Sequence, residues 1–132
     1  YVETPSIFVE IGSTEKEWND KKNGEIIART IMNAIDNKNN YYKIAVGIGG
    51  RHYCANFNKI LLRTGIAFSY VCPKYALQDL DEDLVKQILS KTKEKIDFFV
   101  LDWKGMGKEK QKILELLKKM NLKIEKTDKI EY

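Results

Sequence analysis

The only histidine of the chain, His52, follows a pair of glycines in the stretch Val46-Gly47-Ile48-Gly49-Gly50-Arg51-His52-Tyr53. Imidazole is the side chain best suited to moving a proton near neutral pH. Glycines tolerate positive φ and let another group approach the main chain, so the Gly49 and Gly50 amides are candidates to donate to a developing oxyanion. Three further places carry similar chemistry: Glu10 ahead of Gly12-Ser13, Lys74-Tyr75 after Cys72-Pro73, and Asp102-Trp103-Lys104 ahead of Gly105. His52 or a carboxylate such as Glu10 would orient water for attack on a carbonyl. Arg51, Lys74 and Lys104 suit phosphate, and Tyr53, Tyr75 and Trp103 suit stacking on bases or sugars.

These residues share one feature, a position just after an apolar run. Ile7-Phe8-Val9 reads as a short buried strand, and Tyr42 to Ile48, Ile66 to Cys72, Ile96 to Leu101 and Leu122 to Lys126 as four more. Helices are expected between them. Thr14-Glu15-Lys16-Glu17 fits a capping box ahead of a helix from about 15 to 36, with Ile27, Ile31, Ala34 and Ile35 on its apolar face. Asn56 to Arg63, Asp79 to Thr92 and Lys108 to Met120 read as three more, the second opened by acids and closed by lysines. The final residues are charged and expected to fray. Alternating strands and helices predict an α/β three-layer sandwich, with a mostly parallel central sheet of about five strands. Ile66 to Val71 and Ile96 to Leu101 are apolar enough for central strands covered on both faces. In such sheets ligands bind outside the carboxyl ends of the strands, where all four chemistry-bearing segments would gather.

The 132 residues are expected to form a single α/β domain, and a first residue of Tyr1 suggests either processing or a piece of a longer protein. No apolar run has the length of a membrane span or the form of a signal peptide, which points to the cytoplasm. A net charge of +4 permits a polyanionic partner, although charge alone favours a solvated lysine-rich surface. Gly-Ile-Gly-Gly lacks the G-x-G-x-x-G spacing and no P-loop signature is present, which argues against both kinds of nucleotide site. His52, Cys54 and Cys72 are the available nitrogen and sulfur donors for a metal. The His52–Cys54 spacing is not that of a usual structural zinc site and there is no C-x-x-C, so both cysteines read as half-buried free thiols.

Four segments together resemble the archaeal and plant type of D-aminoacyl-tRNA deacylase: F-V-E-I-G-S-T-E-x-x-W at Phe8 to Trp18, V-G-I-G-G-x-H-Y at Val46 to Tyr53, P-K-Y-A at Pro73 to Ala76 and D-W-K-G at Asp102 to Gly105. The resemblance runs from about Pro5 to about Lys126. It implies hydrolysis of the ester between a D-amino acid and tRNA, a proofreading reaction. It also implies a fold similar to peptidyl-tRNA hydrolase and purine nucleoside phosphorylases, zinc as a cofactor, and the tRNA acceptor end as partner. The family is about twice this length, so the chain is expected to be its C-terminal domain. Arg51 stands where the family usually has a third glycine, and Ser69-Tyr70 where it usually has Gly-His. On this reading His52 is the base or orients the water, Gly49 and Gly50 hold the carbonyl oxygen, Lys74 and Lys104 bind the terminal phosphates or the substrate carbonyl, and Glu10 and Asp102 bind the amino group. Two other readings are open: a non-catalytic module gripping the acceptor end for a missing N-terminal half, and a small-molecule nucleoside or phosphate enzyme.

Overall fold

The computed structural model describes residues 6–36 and 42–131. The chain divides into two compact units, residues 1–40 and 41–132, each taken here by itself.

In the first unit, helix α1 (Glu15–Trp18) opens as its sequence directs. The Glu17 carboxylate accepts from the Thr14 amide at 3.2 Å and from the Thr14 hydroxyl. That contact, chiefly the hydroxyl, holds the Glu17 carboxyl below its ordinary value. The expected single helix is split at Asn19-Asp20. Asn19 Nδ2 donates to the Glu15 carbonyl at 2.9 Å, and Asp20 Oδ1 accepts from the Lys22 amide, opening a new helix, α2 (Lys21–Asp36). Short polar side chains satisfy backbone groups locally in this way and so favour helix ends over helix interiors. Ile7-Phe8-Val9 is not a strand. Ile7 and Phe8 are 86% and 94% exposed, and the run has no ladder partner among the described residues of its unit. Without pairing, β-propensity alone does not form a strand.

The second unit is a parallel α/β domain. Four strands, β1 (Lys43–Ile48), β2 (Ile66–Cys72), β3 (Phe98–Leu101) and β4 (Ile124–Lys126), lie in the order β2-β1-β3-β4, all parallel. The sheet therefore has one strand fewer than expected. Side chains alternate across it with the period of 2 that the pleat imposes. Val46, Ile48, Phe99 and Leu101 enter one core with Val85 of α4 (Glu82–Lys91) and Ile113 and Leu117 of α5 (Lys110–Lys119). Ala45, Phe98 and Val100 enter the other with Phe57 and Ile60 of α3 (Ala55–Arg63). The unit is thus layered helix, sheet, helix, and each fully buried large apolar side chain contributes roughly 1.5–3 kcal/mol.

Three expectations are corrected. β2 is an edge strand of this sheet, not a central one, and Tyr70 and Val71 are exposed on it. Ser69 bulges, so that Ala45 pairs with Phe68 but Val46 with Tyr70. The described final residues are not frayed: Thr127–Lys129 form a 3₁₀ turn that brings Ile130 against the α3-side core. Finally, α5 begins at Lys110, after a kinked 3₁₀ segment, Lys104–Glu109, that the apolar spacing does not reveal.

The connectivity fixes where a ligand goes. The chain leaves β1 for β2 on one side of it, then crosses to β3 on the other. The carboxyl ends of β1 and β3 therefore flank the topological switch point, where loops diverge and leave a crevice.

Candidate functional site

β1 ends in two glycines with positive φ, 101° at Gly49 and 86° at Gly50. Only glycine adopts both without strain. The Gly49 amide donates to the Cys72 carbonyl at 2.8 Å, extending the β1–β2 ladder, while the Gly50 carbonyl accepts from the Lys74 amide at 2.9 Å. The expectation that both glycine amides face a ligand is thereby corrected: the Gly49 N–H is spent on the sheet. The Gly50 N–H has no protein partner among the described residues.

Opposite this turn, the Asp102 amide donates to the Ile48 carbonyl at 2.9 Å, which seats Asp102 against the end of β1. Asp102 is 6% exposed and is the buried charged residue of the described chain. Its Oδ1 accepts from the Gly105 amide at 3.1 Å. The two loops touch at Gly105, where a Cβ would lie 2.4 Å from Asp102 Oδ2 and 2.7 Å from the Gly50 nitrogen. A buried carboxylate and an unpaired amide thus meet across a gap that only glycine leaves open.

Arg51 to Cys54 form a turn, closed by the Cys54 amide and thiol donating to the Arg51 carbonyl at 2.9 Å and 3.0 Å. Cys54 holds a left-handed backbone, φ 45°, and hands the chain to α3. The turn exposes His52 and Tyr53, whose rings meet edge to face at 5.0 Å. Next to it lies a cleft of about 340 Å³ lined by Arg51, His52, Lys74, Tyr75, Gln78, Met106, Lys108 and Glu109. His52 and Tyr75 also border a neighbouring groove of about 470 Å³, walled by Phe57, Leu61, Phe68 and Val71.

The structure therefore brings Arg51, His52, Lys74 and Tyr75 together on one cleft, with Gly49, Gly50 and Asp102 at the adjoining strand ends. Tyr53 lines the apolar groove. Trp103 is half buried, with the Lys126 ammonium 4.4 Å from its ring centre, and Lys104 is exposed at the start of the 3₁₀ segment; neither lines the cleft. Glu10 belongs to the other unit, where it lines a cleft with Gly12, Ser13, Trp18 and Ile27. Gln78, Lys108 and Glu109 were missed by the sequence reading, which took Lys108 for the start of a helix. The Gly105-x-Gly107 pair just before it was the available signal of a turn.

His52, Cys54 and Cys72 do not fit a zinc site. Among the described residues no three His, Cys, Asp or Glu side chains are grouped to hold a metal ion. Burial pushes the Cys54 thiol up, with the Asp102 charge adding to it, and burial likewise raises Cys72.

Fold and cleft define a class: a parallel α/β domain whose strand-end loops gather a histidine, a buried carboxylate and cations that have no ion-pair partner among the described residues. The family model for D-aminoacyl-tRNA deacylase matches residues 1–125, and the chain belongs to that family. It is 41% identical to the D-aminoacyl-tRNA deacylase of Pyrococcus furiosus over 122 residues, 92% of this chain and 44% of that protein. With the enzyme of the same name from Methanocaldococcus jannaschii it shares 39% identity over 130 residues, 95% of this chain and 49% of the relative. The chain thus spans less than half the length of these curated relatives. The crystal structure of a conserved protein of unknown function superposes with a TM-score of 0.77 at 27% identity, covering 90% of this chain and 42% of that one. No helix of the described residues is long and apolar enough to cross a membrane.

Proposed function

We propose that the chain takes part in hydrolysing the ester between a D-amino acid and tRNA, as the C-terminal part of a longer cytoplasmic deacylase. The reading rests on family membership and on one observation, the convergence of Arg51, His52, Lys74 and Tyr75 on a single cleft beside the Gly50 amide and Asp102. His52 takes a proton from the attacking water as it adds to the ester carbonyl. The Gly50 N–H receives the charge that develops on the carbonyl oxygen, Asp102 receives the ammonium of the aminoacyl group, and the proton returns to the departing ribose oxygen. Arg51 and Lys74 hold the phosphates of the acceptor end. Aminoacyl esters are activated, so one positioned base and one oxyanion donor suffice: each contributes roughly 10²–10³-fold. No step is routed through zinc, because the described residues do not build its site.

The test is single-turnover hydrolysis of D-tyrosyl-tRNA by His52→Ala. The rate should fall about 100-fold with tRNA affinity retained. Equal rates in parent and variant would remove His52 from the chemistry. Binding of tRNA without hydrolysis by the parent would make this the substrate-gripping part of a longer enzyme.

A further inference from the structure

We propose that Arg51, Lys74 and Lys108 form an anion subsite that takes the 5′-phosphate of a terminal nucleotide, with Gly107 as the residue that positions Lys74; the nucleotide's assignment to tRNA rests on the deacylase reading. Each cation comes from a different strand end. Arg51 follows β1, Lys74 follows β2 and Lys108 follows β3, and all three line the same cleft. None of them has an ion-pair partner among the described residues, although most of the ion pairs found elsewhere join neighbouring exposed side chains. Glu109 is the carboxylate on the cleft wall, so the lining keeps a positive excess. Three like charges around one cleft repel one another, and an arriving oxyanion turns that repulsion into attraction. A tetrahedral phosphate presents oxygens in several directions, which suits a guanidinium fork and two point-charge ammoniums carried on separate loops.

Gly107 supplies the second observation. It sits at φ 64°, ψ −132°, inside the kinked 3₁₀ segment. This region belongs essentially to glycine. A Cβ there would lie 2.7 Å from Lys74 Cε and 3.2 Å from its Nζ. The charged end of Lys74 therefore passes directly over the Gly107 backbone, and the same kink delivers Lys108 to the cleft. With the Lys74 amide fixed on the Gly50 carbonyl at 2.9 Å, both ends of the Lys74 side chain are located. The cleft volume of about 340 Å³ is at the small end for ligand pockets, enough for a phosphate with its sugar, not for a polymer.

The experiment is calorimetric titration of the chain with 5′-AMP, adenosine and inorganic phosphate, repeated on Lys108→Ala and on Lys118→Ala, a lysine on the exposed face of α5. AMP should bind at least tenfold tighter than adenosine, and inorganic phosphate should compete with it. Lys108→Ala should weaken AMP about tenfold, Lys118→Ala should not, and Gly107→Ala should weaken AMP as Lys108→Ala does. Equal affinity for AMP and adenosine, or equal behaviour of the Lys108 and Lys118 variants, overturns the subsite. Inorganic phosphate binding as tightly as AMP through Lys108 overturns the nucleotide assignment, making this a free-phosphate site. The deacylase reading fails separately: an AMP subsite in a chain that neither releases a D-residue nor binds tRNA refutes that reading alone. Release of a D-residue unaffected by Lys108→Ala refutes the subsite alone.

Discussion

Gly105→Ala tests the contact between the two loops of the site. The added carbon would lie 2.4 Å from Asp102 Oδ2, 2.7 Å from its Cγ and 2.7 Å from the Gly50 nitrogen. None of these neighbours yields easily. The nitrogen is main chain continuous with β1, and Asp102 is buried with its own amide bonded to Ile48. Overpacking of this kind costs about 1–3 kcal/mol. Displacing the carboxylate also strains its bond from the Gly105 amide, and hydrogen bonds to charged groups contribute roughly 1.5–3 kcal/mol. Both penalties are relieved by the same movement, so they do not add. A loss of about 2 kcal/mol follows, on the order of 10 °C in Tm for a unit of this size. Thermal unfolding by circular dichroism measures it, and single-turnover hydrolysis well below the variant's Tm measures the site. The Gly50 amide and Asp102 are forced apart, so the hydrolysis rate should fall at least as far as it does on losing one oxyanion donor, about 100-fold. A variant within about 2 °C of the parent in Tm, with unchanged hydrolysis, would show that the loops are not pinned as described.

Two other outcomes follow from charge. Burial is the larger cause of the raised Cys54 thiol and the Asp102 carboxylate the second, while Asp102 has no part in raising Cys72. Asp102→Asn should therefore lower the pH at which Cys54 is alkylated by iodoacetamide and leave Cys72 where it is; equal shifts at both would refute the attribution. Glu82 is held from an ordinary 4.5 down to about 2 by hydrogen bonds and ion pairs with Lys86 and Lys119. A folded value below the unfolded one adds stability above about 4.5 that is lost as pH falls through about 2. Glu82→Gln should flatten the pH dependence of Tm in that window, by a small amount that shrinks in high salt because the ion pairs lie at the surface. An unchanged acid slope would contradict it.

What the sequence disclosed was whatever depends on local pattern. The Thr14-Glu17 cap, the alternation through Ala45 to Ile48 and Phe98 to Leu101, and the polar residues after each strand all follow from neighbours in the chain. The parallel arrangement then gathers the strand ends without further information. What stayed hidden depends on distant partners. Ile7-Phe8-Val9 has the composition of a strand but no ladder in its unit, and Ile66 to Val71 has the composition of a central strand but lies at the edge. The Gly49 amide looked as available as that of Gly50 until Cys72 was placed beside it. Lys108 reads as the start of a helix from the residues that follow it, and only the two glycines before it signal a turn. The positive φ of Gly107, with Lys74 crossing its backbone, ends the helical reading there and brings Lys108 to the cleft.

The most direct measurement is the release of free amino acid from D-tyrosyl-tRNA and from L-tyrosyl-tRNA by this chain under single-turnover conditions. Release from the D-ester alone would place a stereoselective hydrolytic site within these strand-end loops, as the account predicts. Release from neither, with the protein folded, would contradict it.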